Sequence, residues 1–294
     1  MTEHSSSHDS ESTYFIDSQS APEMARLMDF DRYLTKAMGG PIEEGADYAK
    51  IHRILDVACG PGGWVLDLAV EHPEIELFGI DINRSAIRYA QSQAKAQDLS
   101  NATFRAMNAV EPLDFPDEYF DLVNARSIGA FMPPVRWPEF VQDCKRILRQ
   151  GGTLRLTEGE WSLTNTPAMA KLNGLLMKAV QMAGLSFSPD GRHSGIVPVI
   201  AHFLRKAGFQ NISESAYVVD YSSGTEANPI VYNDAKVFYQ LIQPFIVNMR
   251  LATQDEIEQL YQQALTEMLM DDFCGMHLLL TAWGTKPYKE QKHV

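Results

Sequence analysis

A short stretch near the front of the chain has the residue types and spacing to hold a nucleotide. Asp56, Gly60 and Gly62 fall in Ile54-Leu55-Asp56-Val57-Ala58-Cys59-Gly60-Pro61-Gly62-Gly63, an apolar run that enters a glycine-rich turn and then a helical pattern. The glycines let the backbone turn sharply and approach a ligand closely. The helix that follows offers free N–H groups and the positive end of its dipole. Asp81 closes the next apolar run, Gly79-Ile80-Asp81-Ile82, about 20 residues after Gly60. A carboxylate there can accept hydrogen bonds from ribose hydroxyls. Each part alone has a plainer reading, a simple turn or a helix cap. Together they predict an adenosine-type cofactor at the carboxyl end of the first strand.

A dinucleotide fingerprint wants a third glycine, and Val65 stands in that place. The pattern Asp56-x-Ala58-x-Gly60-x-Gly62, followed by Asp81, resembles the class I S-adenosylmethionine-dependent methyltransferases. Ala58 departs from the family's usual glycine. Phe104-Arg105-Ala106-Met107-Asn108-Ala109 resembles the third strand and the adenine-contacting turn, with Asn108 where the family often has Asp. An amide carbonyl can still accept from an adenine amino group. Phe115-Pro116-Asp117-Glu118-Tyr119-Phe120-Asp121-Leu122-Val123 resembles the approach to the fourth strand, which places Asn124 and Arg126 beside the methionine portion of the cofactor. Arg149-Gln150-Gly151-Gly152 resembles the turn before the fifth strand, with Gln150 in place of proline. The match covers residues 51–158.

The resemblance implies S-adenosyl-L-methionine as cofactor. It implies Asp56, Ala58, Gly60, Gly62, Asp81, Ile82, Asn108, Ala109, Asn124 and Arg126 as its binding residues. The reaction implied is methyl transfer to a small-molecule acceptor by in-line displacement, producing S-adenosylhomocysteine. Such a protein aligns a nucleophile and excludes water. It needs a general base only where the nucleophile must lose a proton. The alternatives are an NAD(P)-dependent oxidoreductase and a catalytically silent cofactor-binding regulator on the same fold.

The acceptor side is less legible. Glu158, Glu160 and Trp161 follow the fifth apolar run, where substrate contacts fall in α/β folds. His193 sits in a polar loop, Ser188-Pro189-Asp190-Gly191-Arg192-His193-Ser194, and is a general-base candidate beside Glu158. Tyr14 and Arg26 precede the core and are expected to fold over the methionine end of the cofactor. Met169, Met177, Met182, Phe187, Phe238, Tyr239 and Phe245 offer an adaptable apolar lining for a flat or hydrophobic substrate, or ordinary core. The histidines show no metal spacing, so no metal is expected.

Short apolar runs alternate with amphipathic ones to position these groups. Strands are expected at 53–58, 77–81, 102–107, 122–125 and 153–157, and helices at 63–71, 84–96 and 138–149. Pro167 opens a helix to about Gly184, and further helices are expected at 197–206, 230–249 and 255–272. The last opens with the capping box Thr253-x-x-Glu256. Runs at 211–220 and 275–284 read as strands, which resemble the family's antiparallel sixth and seventh. The fold expected is α/β: a Rossmann-like, seven-stranded, mostly parallel sheet with helices on both faces and an antiparallel last strand. An N-terminal helical segment (21–50) and helical insertions (about 160–207 and 222–273) would form a lid on a single domain, 21–294, with residues 1–20 flexible.

Composition limits the partners. The chain has 294 residues, 25 Lys+Arg and 38 Asp+Glu, for a net charge of −13. That field repels nucleic acid and anionic lipid. Cys59, Cys144 and Cys274 form no CxxC pair and read as free thiols in a reducing compartment. No signal peptide and no membrane-spanning run is visible. The expectation is a cytoplasmic enzyme, monomer or homodimer.

Overall fold

The computed structural model describes residues 21–42 and 48–289. Tyr14 and the 1–20 segment lie outside the described residues. α1 (Ala21–Ala37) leads into β1 (Arg53–Val57), α2 (Gly63–Glu71), β2 (Glu76–Asp81), α3 (Arg84–Ala96) and β3 (Ala102–Ala106). Next come β4 (Phe120–Arg126), α4 (Trp137–Ile147) and β5 (Leu148–Thr164). The second half holds α5 (Pro167–Met182), α6 (Ile200–Lys206), β6 (Gln210–Asp220), α7 (Asn228–Leu241), α8 (Gln243–Asn248), α9 (Gln254–Glu267) and β7 (Gly275–Thr285).

Among the described residues the strands form one seven-stranded sheet in the order β3-β2-β1-β4-β5-β7-β6. β1 to β5 pair in parallel, and β7 is antiparallel to both of its neighbours. The expected antiparallel sixth strand is corrected by this pairing: β6 opposes β7 and therefore runs with β5.

β1 and β4 are buried almost along their whole length, as a sheet covered on both faces requires, and successive side chains point to opposite faces. Ile54, Leu77 and Leu122 pack with Trp64, Leu68 and Ile87 of α2 and α3. Leu55, Val123 and Leu154 pack on the opposite face with Trp137, Phe140 and Ile200 of α4 and α6. A separate core joins α5 and α7 to α9 around Leu172, Leu176, Tyr239, Ile242 and Ile257. The Glu267 carboxylate at the end of α9 ties these helices together. It accepts from the Ala168 and Met169 N–H groups at the start of α5 (2.9 and 3.2 Å), where a helix dipole favours negative charge.

Three elements differ from expectation for identifiable reasons. β5 continues past Thr157 because β7 pairs with it as far as Thr164. The helix expected over 230–249 breaks after Leu241, and Pro244 opens the second piece; proline has no N–H to continue the ladder. The helix expected to reach Asp272 stops at Glu267, though the Thr253–Glu256 capping box forms as expected.

The sheet also needs one close approach. A Cβ on Gly79 would lie 2.7 Å from the Phe104 ring and 2.8 Å from Cys59 Sγ. Gly79→Ala should therefore destabilise the protein by about 1–3 kcal/mol through overpacking. Urea unfolding checks this, and an unchanged midpoint would contradict the packing described.

Candidate active site

The glycine-rich turn starts where β1 ends. Ala58, Gly60 and Gly62 all have positive φ (59°, 53° and 84°). The alanine thus occupies the left-handed region that glycine enters without steric cost. Gly62 is required twice over, because a Cβ there would also meet the Phe104 ring at 2.7 Å. Asp81 stands at the end of β2 and holds the turn. Its Oδ2 accepts from Gly60 N–H (2.9 Å) and its Oδ1 from Asn83 N–H (2.7 Å). Capping of α3 falls to Asn83, whose Oδ1 accepts from Ser85 and Ala86. Each Asp81 oxygen therefore keeps a second lone pair. Burial raises the pKa of this carboxyl, against the two backbone hydrogen bonds.

These groups line one end of a continuous cavity of about 670 Å³. Asp56, Ala58, Gly60, Asp81, Ile82, Asn108, Ala109, Arg126 and Glu158 all border it. Asn108 Oδ1 accepts from Val110 N–H (3.0 Å), which fixes the turn after β3. Asp56, at the base, accepts from Asn124 Nδ2 (2.7 Å), and burial raises its pKa to about 7.

Gly62 and Asn124 are brought to the site but not onto the cavity wall. Asn124 is fully buried, and its Oδ1 accepts from Arg155 (2.8 Å). The direct cofactor contact expected of Asn124 is corrected by this burial.

Arg126 ends β4 and reaches α1. Its guanidinium donates to Thr35 Oγ1 (2.9 Å) and pairs with Asp31. Burial lowers its pKa to about 9. The other Asp31 oxygen, Oδ2, is buried and has no hydrogen-bond partner among the described residues. It sits where a Cβ on Gly63, the first residue of α2, would meet it at 3.0 Å.

On the acceptor side, Glu158 is 3% exposed and accepts from Gly129 N–H (3.1 Å). Burial raises its pKa to about 8, opposed by backbone hydrogen bonds from Gly129 and Ile128 and assisted by Glu160. Glu160 accepts from Ser194 N–H and Oγ (2.9 and 2.8 Å) and from Gly195 N–H (3.0 Å).

His193 is exposed and borders no part of the cavity. Its loop turns it outward, so the general-base expectation is withdrawn. Arg26 borders the cavity, but its guanidinium is held by Glu23 (2.7 and 2.8 Å) and by Asp234 of α7 (2.5 Å). The methionine-end contact expected of Arg26 is replaced by this clasp between α1 and α7.

Sequence reading missed Asp31, Asn83 and His277 among the cavity residues. Asp31 carries no local signal, since its partner Arg126 lies 95 residues away. His277 carried one: an imidazole that interrupts the apolar run Met276-His277-Leu278-Leu279-Leu280. Among the described residues no group of three or more His, Cys, Asp or Glu could hold a metal ion, and no helix is long and apolar enough to cross a membrane.

Residues 54–152 match the family described as "Methyltransferase domain". The chain is 25% identical over 247 residues to "Probable methyltransferase ltbC" of Aspergillus luteorubrus, covering 80% of this chain and 86% of that protein. It is 34% identical over 106 residues to the demethylmenaquinone methyltransferase of Listeria welshimeri, and that match covers 35% of this chain but only 42% of the relative. A phosphoethanolamine N-methyltransferase 2 from Haemonchus contortus, solved with phosphomonomethylethanolamine and S-adenosylhomocysteine, shares the fold at TM-score 0.54 and 16% identity, over 93% of this chain and 61% of that one. The strand order, the Gly60–Asp81 turn and the sequence matches agree: residues 54–152 are a methyltransferase domain, and the chain is similar over most of its length to a probable methyltransferase.

Proposed function

We propose that the protein methylates a small, largely apolar molecule held in the inner half of the cavity. The observation that carries this reading is the continuity of that cavity. One end is bordered by Gly60, Asp81 and Asn108, and the other by Met169, Phe238, Tyr239 and Met268 of the helical insertions. When bound, the cofactor supplies an activated methyl group. Asp81 would hold the ribose hydroxyls with its spare lone pairs, and Asn108 and Ala109 would flank the adenine. The unpartnered Asp31 Oδ2 fits an ammonium, and Arg126 beside it fits a carboxylate; the amino-acid end of the cofactor carries both. The dinucleotide alternative is disfavoured by Val65, which is fully buried on the core side of α2 where a third glycine would stand.

The rest of the chemistry is alignment and exclusion of water by α1 and the insertions. Burial raises the Glu158 pKa to about 8, which favours its protonated form at neutral pH. The protonated form is no base. The net charge of −13 supports a protein that does not engage nucleic acid, and the three free cysteines support a reducing, cytoplasmic setting.

Calorimetric titration with S-adenosylmethionine, S-adenosylhomocysteine and NADH tests the reading. The two sulfur compounds should bind, and Asp81→Ala should weaken both about 10- to 100-fold, the loss of hydrogen bonds to a charged group. Preference for NADH, or no binding of either sulfur compound, would overturn it. Asp31→Asn should weaken S-adenosylmethionine about 10-fold and leave 5′-methylthioadenosine, which lacks the amino-acid end, unaffected.

A stability measurement reads Glu158. Its pKa is raised on folding, so the stability from burying it protonated is full below the unfolded value of 4.5 and is lost as pH rises through about 8. Glu158→Gln is neutral at every pH. Relative to this variant, wild type should lose on the order of a few kcal/mol between pH 4.5 and pH 8 in urea unfolding. Parallel curves for the two proteins would show that Glu158 is already ionised.

A further inference from the structure

The inner compartment of the cavity contains one polar side chain that the account above leaves unused. His277 lies on β7 and borders the cavity together with Leu279. Residues two apart share a face of a strand, so both project from the same side, about 6.8 Å apart along the chain. Leu279 pairs with Gly159 of β5, the neighbour of Glu158. His277 is therefore one step deeper than the point where the cofactor and acceptor halves meet.

Its surroundings are aromatic. The Phe30 ring of α1 meets the imidazole edge-on, with centroids 5.9 Å apart at 83°. The Tyr221 ring, at the end of β6, lies 4.7 Å away. Among the described residues the imidazole makes these ring contacts and no hydrogen bond. The residue is partly buried and borders the cavity. Burial alone lowers its pKa, to about 4, with no charged neighbour contributing, so the ring is neutral. A neutral imidazole has one nitrogen that accepts and one that donates. A polar group removed from bulk water is ordinarily paired, and the cavity that this imidazole borders can supply the partner.

The nearest alternative anchor for a charged ligand, Arg26, is committed to Glu23 and Asp234. The compartment thus offers flat apolar and aromatic faces, Phe238, Tyr239 and Tyr221 among them, and the neutral imidazole of His277. We propose that it takes a planar aromatic acceptor bearing a hydroxyl group, and that His277 is the specificity residue that accepts the hydrogen of that hydroxyl. This inference rests on the methyltransferase reading of the cavity.

The test uses full-length protein saturated with S-adenosylhomocysteine and titrated with β-naphthol or with its methyl ether, which has the same ring but no hydroxyl donor. Wild type should bind β-naphthol about 10-fold more tightly than the ether, one hydrogen bond together with the cost of leaving the imidazole unpaired. His277→Phe keeps an aromatic ring in the same space. It should bind S-adenosylhomocysteine as wild type does, yet lose the preference for β-naphthol to within about 2-fold. His277→Gln, which retains a hydrogen-bonding side chain, should keep part of the preference and serves where His277→Phe does not fold.

A preference that survives in His277→Phe would show that His277 is only packing and overturn the proposal. Equal binding of the two naphthyl compounds by wild type, or no binding of β-naphthol, would also overturn it. Failure of wild type to bind S-adenosylhomocysteine would instead overturn the methyltransferase reading, and the inference with it.

Discussion

Three buried polar side chains in register across the middle of the sheet hold the site in place. Asp56 of β1 pairs with Asn124 of β4, and Asn124 with Arg155 of β5. Their side chains repeat that register as hydrogen bonds of 2.7 and 2.8 Å. None of the three is more than 5% exposed. Slipping β4 by one residue would turn Asn124 to the other face and leave a carboxylate and a guanidinium buried without their bridge. The chain of bonds is thus a register lock more than a source of net stability. Its open end, Asp56, is also the floor of the cavity. The device that aligns the central strands therefore aligns the ligand-facing turn that β1 carries.

The cofactor half was legible because its parts are local. Gly60 and Gly62 announce a turn by type alone, and Asp81 follows at the distance one crossover helix requires. The helices at 63–71 and 84–96 carry strong periodicity and were found with the bounds the structure gives them. Asn124 shows the limit of that reading. Its place at the end of a strand was right, but whether it meets a ligand or a neighbour depends on Arg155, 31 residues on. The acceptor half is assembled from α1, α5, α7, β6 and β7, whose apolar side chains are those of any core. Nothing in Phe30 or Tyr221 taken singly separates a wall from an interior. The polar interruption at His277 was the one local clue, and an apolar strand reading passed over it.

α1 supplies a wall that the sheet alone would lack. It is held at two places by charge: Arg126 to Asp31 and Thr35, and Arg26 between Glu23 and Asp234. Arg26 also lies over the Phe238 ring, 5.2 Å from its centre. Such pairs are directional and need their partners desolvated. The helix is therefore fixed relative to both β4 and α7 rather than merely resting on apolar surface. One of these anchors, Arg126 with Asp31, is itself part of the cavity. The same pair of charges thus both fixes the wall and faces the cavity.

Glu158 and Glu160 show how the far wall is built. Both stand on the part of β5 that extends beyond the parallel sheet because β7 pairs with it. Glu158 holds the turn after β4 through Gly129, and Glu160 holds the loop at 194–195 through three hydrogen bonds. Backbone amides bonded to a carboxylate fix a loop without requiring particular side chains from it. The loops can then vary in sequence while their backbone stays in place. The two carboxylates differ in what they leave available. Glu160 is spent on Ser194 and Gly195, whereas Glu158 has one bonded oxygen turned to Gly129 and a pKa that burial lifts to about 8. That raised pKa favours the protonated form where Glu158 borders the cavity. Asp31 and Asp81 border the outer end, whereas the Asp234 carboxylate that borders the cavity on α7 is paired with Arg26; an unpaired carboxylate at the inner end would have to be desolvated each time an apolar molecule entered.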